Sequence, residues 1–484
     1  MPHISRRSFL QGALASAGAF AVAPVEPSPD DPFPPPTPPI RRGPRSLPNP
    51  KLSAGTPNEA LPFDHVVIVM QENHSFDNYF GMLPVRGQPL ADGFTFDGNG
   101  APVNDNPVRG GRQRVFHLEG TCQPNGVDQT WNASHRQING GRMDGFAATD
   151  PEAMGYWDEP DLPFYYSMAK TFCIGNRYFA SVPAQTYPNR RMLYAASAQG
   201  MVSTSNSTFS LPAPRNGSVM DNLHRHEVSF KSYFTDLPDS AIIPTNLERY
   251  PDHFTSILEF FADCAAGTLP SVSWVDTEMG LTSVIGGPLA GYISQLPPPL
   301  DKKFGDLNEL IQAQGGDEEN PQDVAIGEDE VACIVNAVMH SPAWPRTLLI
   351  WNYDEHGGYY DHVPPPTAII PDAVRPTLSR TDVQGAYNLY GIRVPNAVVS
   401  PYSRPHGVTN VVHDHTSVIA TIANKWNLPA LTWRDANAWD MTDYLDLKAK
   451  PAFLTPPKLA APATPAVLKG DCTTEAPPVV LEPH

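Results

Sequence analysis

Val66–Met70 is an uninterrupted apolar run that breaks at once into Gln71, Glu72, Asn73 and His74. A short run without alternation marks a strand covered on both faces, as in a parallel sheet flanked by helices. Such strands usually end in a turn of Gly, Asn, Asp or Ser. This one ends in a carboxylate, an amide and an imidazole, groups that suit a metal ion or a phosphate. A second segment repeats the pattern: "TLLIWNYDEHGGYYDHVPPP" carries the run Thr347–Trp351 into Asp354, Glu355, His356, Gly357 and Gly358. Past a strand end the backbone can turn and bring neighbouring carboxylates together, and two glycines permit close approach or positive φ.

A third buried run lies at Ala397–Ser400, and helical patterns cover Glu328–His340 and Ser417–Trp426. Apolar runs that alternate with helices predict an α/β fold with a mostly parallel sheet. Ligands of such sheets sit at the carboxyl ends of the strands, where Glu72 and Asn73 fall. Carboxylates with an amide oxygen suit Ca²⁺, Mg²⁺ or Mn²⁺, and an added histidine brings Zn²⁺ or Fe into range. One Asp-Glu pair alone reads as surface acids on a loop. Two strand ends of the same kind, each beside a histidine, read as a site.

The rest of the chain narrows the partners. Its 484 residues carry 33 basic and 51 acidic side chains, a net charge of −18. That argues against nucleic acid and anionic lipid, both of which need a basic surface, and leaves room for a zwitterionic lipid or a small phosphate ester. Five cysteines, with no CxxC spacing, make a cysteine zinc site unexpected. Their odd number leaves at least one unpaired within the chain. The N-terminus, Ser5-Arg6-Arg7-Ser8-Phe9-Leu10 followed by a mildly apolar stretch to Ala23, has the form of a twin-arginine signal over residues 1–23. It predicts the twin-arginine export machinery as a partner and a periplasmic, cell-surface or secreted location. No later segment reaches the length of a membrane span, so no transmembrane anchor is expected in the mature form. The 55 prolines cluster at the ends. Residues 24–60 are expected to be a disordered Pro-rich linker, 61–450 the catalytic domain and 451–484 a Pro/Ala-rich tail.

Three further stretches hold candidate residues. In "SVPAQTYPNRRMLYAASAQG", Thr186 precedes a helical pattern, so its hydroxyl is either an N-cap or a nucleophile beside bound phosphate. Asn189 and Arg190 follow, and Arg190 either holds a phosphate oxygen or pairs with an acid. His135 stands in a polar segment, and His413, Asp414 and His415 precede a helix that Thr416 or Ser417 could cap.

The segments "QENHSFDNYFG", "PAQTYPNRR", "YDEHGGYYDHVPPP", "RVPNAVVSPYSR" and "HDHTSVIATI" together resemble the bacterial phosphoesterase family of non-haemolytic phospholipases C and acid phosphatases. They span about residues 62 to 445, in the family's order. The resemblance implies an alkaline-phosphatase-like three-layer α/β sandwich, its mostly parallel central sheet flanked by helices on both faces. It implies a divalent metal ion held by Glu72, Asn73, Asp354 and Glu355. It makes Thr186 the nucleophile and His135 a contact of the phosphate or leaving group. His356 and His415 join the candidate catalytic residues, and Asn73, Asn189 and Arg190 the candidate substrate-binding ones. One departure stands out: Asn320 precedes Pro321 where the family often has histidine, which bears on the proton donor and on substrate preference. The expected activity is hydrolysis of phosphate esters through a phosphothreonine intermediate, on phosphatidylcholine-like lipids in the manner of phospholipase C. Phosphomonoester hydrolysis is the alternative within the family, and a non-catalytic exported metal- or phosphate-binding protein is the alternative of another class.

Overall fold

The computed structural model describes residues 37–118, 120–122, 126–235, 238–277, 316, 318–319, 322–465 and 481–482. The expected signal peptide, the first part of the linker and Asn320 lie outside the described residues.

The centre is a six-stranded sheet. Its strands, in chain order, are β1 (His65–Gln71), β2 (Phe230–Phe234), β3 (Phe254–Ser256), β4 (Val272–Asp276), β5 (Thr347–Tyr353) and β6 (Asn396–Val399), arranged β6-β5-β1-β4-β2-β3. All neighbours are parallel except β5 and β6. Every residue of β4, β5 and β6 is buried, as is all of β1 after His65. Both faces are therefore covered, as the unbroken apolar runs predict. The principal helices are α1 (Trp131–Ile138), α2 (Thr186–Ala195), α3 (Val324–Met339), α4 (His415–Trp426) and the short α5 (Trp433–Asn437). The helix α3 packs on β5, and α2 packs on α4. This is the expected α/β architecture with a mostly parallel sheet.

The register of β1 on β5 decides where the chemistry falls. His65 to Gln71 pair in step with Thr347 to Tyr353, so both strands end together and the Asp354 N–H donates to the Gln71 carbonyl at 3.0 Å. Glu72 and Asp354 are each the first residue past the last pair. Gly357 then crosses directly over Asn73. A Cβ at Gly357 would lie 1.8 Å from the Asn73 carbonyl oxygen, and its φ is +63°. No other residue fits there.

The ends of the chain differ from expectation. Residues 37–60 are not a free linker but lie along α4 and α5. The Asn427 amide donates to the carbonyls of Asn49, Leu52 and Ser53, and Asn437 Oδ1 accepts from the N–H groups of Arg41 and Arg42. An extended Pro-rich strand cannot satisfy its own carbonyls, and these amides do it instead. Part of the expected tail is docked as well: Phe453 packs edge-on against Phe172, and the Ala463 N–H donates to Glu328 at 3.1 Å. Cys122 is disulfide-bonded, while Cys173 and Cys264 are free thiols.

Candidate active site

Four adjacent strands each deliver an acid to the carboxyl edge of the sheet. Glu72 follows β1, Asp354 and Glu355 follow β5, Asp276 ends β4, and Asp239 lies just past β2. All five are buried. Into their midst α2 sends Arg190, itself buried, with Nη2 2.9 Å from Glu72 Oε1, Nε 3.4 Å from Asp354 Oδ2, and Nη1 paired with Asp239. Burial opposes charge on this guanidinium, but Glu72 and Asp354 overcome it and hold its pKa above the usual arginine value.

One cation does not balance these acids. Burial pushes Glu72 up to about 8 despite Arg190, and burial together with the Glu72 charge raises Asp354 and Glu355 far above the carboxylate range. The hydrogen bonds show why the acids are held there regardless. Asp354 Oδ1 accepts the Glu355 N–H at 2.6 Å, and Glu355 Oε2 accepts the Gly357 N–H at 2.9 Å. The other oxygen of each, Asp354 Oδ2 and Glu355 Oε1, is buried without a hydrogen bond. Glu72 Oε1 is within ion-pair distance of Arg190 but likewise makes no hydrogen bond, and neither Asn73 Oδ1 nor Nδ2 has a hydrogen-bond partner among the described residues. Asn73 also adopts φ 131°, outside the ordinary range of a side-chain-bearing residue. Buried polar atoms without a hydrogen bond are costly, and here the chain's own bonds fix one oxygen of Asp354 and of Glu355 and leave the other without a hydrogen bond among the described residues. This hard-oxygen set, with excess negative charge, has the donor chemistry that a divalent cation takes, though Glu72, Asp354 and Glu355 do not bring oxygens within 4.8 Å of one another.

Thr186 is the first residue of α2, and the N-cap is Gln185, so its hydroxyl is not the helix cap. It lies one turn before Arg190 on the same helix face. The charges of Glu72, Arg190 and Glu319 reach the next side chain, Tyr187, which places this helix start beside the acids. Its hydroxyl makes no hydrogen bond among the described residues, and it is buried at a helix N-terminus.

The other candidates take supporting positions. Asn189 does not face a ligand: its Nδ2 donates to the carbonyls of Val182, Ala184 and Gln185, and its Oδ1 accepts the Val182 N–H. It shapes the loop that leads to Thr186. His415 Nε2 donates to the Asp354 carbonyl at 2.6 Å, and Nδ1 faces the Tyr178 hydroxyl at 3.3 Å, so this ring steadies the backbone of Asp354. Burial lowers its pKa to about 4. His356 is fixed at both nitrogens, by Glu355 at 3.1 Å and by Gln137 Oε1 at 2.9 Å. It orients Glu355 and has no nitrogen left for substrate. His135 is held by Trp131, with Nδ1 donating to the Trp131 carbonyl at 2.7 Å, and burial lowers its pKa. That tautomer leaves Nε2 as an acceptor, which excludes the neutral ring from donating to a phosphate oxygen. His135 lies near Gly385, and its neighbour Trp131 packs with Ala184 and Met192 of the Thr186 segment.

Three acids escaped the sequence reading: Asp239, Asp276 and Glu319. Glu319 hydrogen-bonds Glu72 and accepts from Gln129 Nε2 at 3.3 Å. It is held there by its neighbour. Glu318 has φ 75° and a fully buried carboxylate that accepts the phenols of Tyr79, Tyr165 and Tyr353 and the Gln71 amide. The acidic repeat "GGDEEN" was the available signal.

A second acidic group, Asp77, Asp361 and His362, brings possible ligand atoms within 4.8 Å of one another. Arg393 occupies it, 3.0 Å from both Asp77 and Asp361. Burial resists charge on His362, but Asp77 and Asp92 raise its pKa to about 10, so it too is a cation. This cluster is an internal ion-pair network, and it ties the segment after β5 to the segment after β1.

The sequence matches the model of the Phosphoesterase family over residues 63–429. Phospholipase C A of Mycobacterium tuberculosis is 30% identical over 473 residues, covering 85% of this chain and 82% of that protein. Non-specific phospholipase C6 of Arabidopsis thaliana is 27% identical, covering 85% of this chain and 76% of that protein. Among solved structures, a protein in the alkaline phosphatase superfamily from Vibrio parahaemolyticus superposes with a TM-score of 0.36 at 12% identity, over 76% of this chain and 79% of that one.

Proposed function

The chain belongs to the Phosphoesterase family, a hydrolase of phosphoric esters, and on that premise we propose that it is an exported phospholipase C that cuts phosphatidylcholine-like lipids with Thr186 as nucleophile. The observation that carries this reading is the edge where Glu72, Asn73, Asp354 and Glu355 hold buried atoms without a hydrogen bond, with Arg190, one helix turn from Thr186, paired to Glu72 and Asp354.

Glu72, Asn73, Asp354 and Glu355 would hold a divalent cation, which would supply Lewis-acid polarisation of a phosphoryl oxygen and lower the pKa of a hydroxyl. The chain's own groups do the rest. The Thr186 N–H, at the start of α2, receives an anionic oxygen of the substrate, since the Tyr187 N–H is taken by Thr204 and Pro188 has none. Arg190, one turn on and locked by three carboxylates, places positive charge where the equatorial oxygens gather charge. Thr186 Oγ1 attacks phosphorus, the bond to the diacylglycerol oxygen breaks, and that oxygen leaves with the proton the threonine gave up. Water then cleaves the phosphothreonine ester, which restores the hydroxyl and releases the phosphorylated head group. His415 and His356 keep Asp354 and Glu355 in place throughout. The disulfide at Cys122 and the Arg6-Arg7 leader support export to an oxidising compartment.

The test is a pair of substitutions. Thr186→Val keeps the helix and removes the nucleophile, so turnover falls by about a thousandfold or more with unchanged circular dichroism, while Thr186→Ser stays within roughly tenfold of the parent. Near-normal turnover by Thr186→Val contradicts the assignment.

A further inference from the structure

A phospholipase must meet its substrate at a lipid surface, and one face of this molecule has the chemistry for it. The inference rests on the lipid reading above. Trp433 and Trp439 are 41% and 54% exposed, unusual for the largest apolar side chain. They belong to one patch. The Trp433 ring packs on Gly43 and the Trp433 backbone N–H donates to the Pro371 carbonyl, while Arg41 lies 4.2 Å over the Trp439 ring. Ile370 and Val374 are exposed in the adjoining loop. Between them runs a cleft of about 500 Å³, lined by Pro44, Arg45, Arg215, Val374 and Trp433 among others.

The same face carries basic side chains. The chain carries 18 more acids than bases. Arg86, Arg177, Arg249 and Arg346 accordingly pair with carboxylates. Arg41, Arg45, Arg215 and Arg375 do not: each is exposed, and none pairs with a carboxylate among the described residues. Arg45 is also held at φ 65°, its Nε donating to Asn216 Oδ1 at 3.2 Å. Tryptophan with unpaired arginine, around an apolar cleft, is the composition of a surface that sits among lipid phosphates with its rings at head-group depth. The face is continuous with the site. The loop that lines the cleft at Pro212 and Arg215 begins beside Phe209, which is 51% exposed and edge-on to Tyr187, the neighbour of Thr186.

We propose that this face docks the enzyme on a phosphatidylcholine bilayer, with Trp433 and Trp439 at the interface and the four arginines on lipid phosphates. The experiment uses the full chain with Arg215→Glu and Arg375→Glu combined, two exposed residues outside the catalytic machinery. Vesicle co-sedimentation is read on phosphatidylcholine vesicles, tryptophan emission is followed with and without lipids brominated near the head group, and turnover is measured on a water-soluble phosphocholine ester. Expected are vesicle binding and quenching by the parent, at least tenfold weaker binding by the double variant, and equal turnover of the soluble ester by both. Unchanged vesicle binding by the double variant overturns the proposal, as does absence of quenching in the parent. If the parent binds vesicles in an arginine-dependent way yet hydrolyses neither lipid nor soluble ester, the docking surface stands and the phospholipase reading fails.

Discussion

Glu72 titrates at about 8 in the fold, against 4.5 for an ordinary glutamate, because burial outweighs the neighbouring Arg190. The folded protein therefore keeps a proton on Glu72 where the unfolded chain has lost it. Through that proton the stability of the metal-free protein falls as pH rises from 4.5 to about 8. Asp354 and Glu355 are raised too, so they act in the same direction. A divalent cation favours the ionised forms and reverses the trend. Thermal melts in chelator across this window should show a falling midpoint, and the gain on adding Ca²⁺, Mg²⁺ or Mn²⁺ should grow with pH. A midpoint that rises with pH in chelator contradicts the buried-acid account. Glu318 makes a separate residue-scale prediction. Burial pushes it up to about 7 although phenols of Tyr165, Tyr353 and Tyr79 donate to it. Glu318→Ala leaves three phenols without their acceptor and costs about 2–4 kcal/mol of stability by denaturant titration, whereas Glu318→Gln keeps an acceptor oxygen and costs less.

Among the elements, the β5 end crosses over the β1 end with no room for a side chain at Gly357. Gly357→Ala would drive a methyl group into the Asn73 carbonyl and strain a φ of +63°. The loop must move, so we expect a loss of about 2–4 kcal/mol by thermal melt and weaker metal binding by calorimetry. An alanine variant with unchanged melt and unchanged metal affinity contradicts that geometry. Asn189 acts on the other side of the site. Asn189→Ala removes the clamp on residues 182–185 and displaces Thr186, so kcat should drop by about a hundredfold with KM little changed. Strand interiors were legible because burial on both faces leaves an unbroken apolar run: Val66–Met70 and Thr347–Trp351 are the cores of β1 and β5. Helix starts were less so. The helix expected from Glu328 begins at Val324, where Asp323 caps it, since the cap is a side chain on backbone geometry that apolar periodicity does not reveal. Glu72, Asp354 and Glu355 were legible because each follows a recognisable strand. Asp239 was not, since it opens a short 3₁₀ helix past the end of β2, and the pairing of β2 with β4 carries it to Arg190. Tautomer and hydrogen-bond saturation, which removed Asn189 and His356 from direct contact with substrate, are properties of three-dimensional neighbours.

At the scale of the whole molecule, the fold places one long edge of acids at the carboxyl ends of four strands and supports it from behind. His415, His356, Asn189 and Glu318 each hold a backbone or side chain that the proposed chemistry uses, and the Arg393 network fastens the two strand ends together. The N-terminal arm, expected to be loose, instead closes over α4 and brings Arg41 and Arg45 to the face with Trp433 and Trp439. The most direct test of the central claim is a phosphorus NMR product assay. Protein loaded with divalent metal receives phosphatidylcholine micelles and a simple phosphomonoester in the same tube. The account predicts phosphocholine as the dominant product, formed by the parent and lost in Thr186→Val. Inorganic phosphate released from the monoester with the lipid intact, or no product with any of several divalent metals, would contradict it.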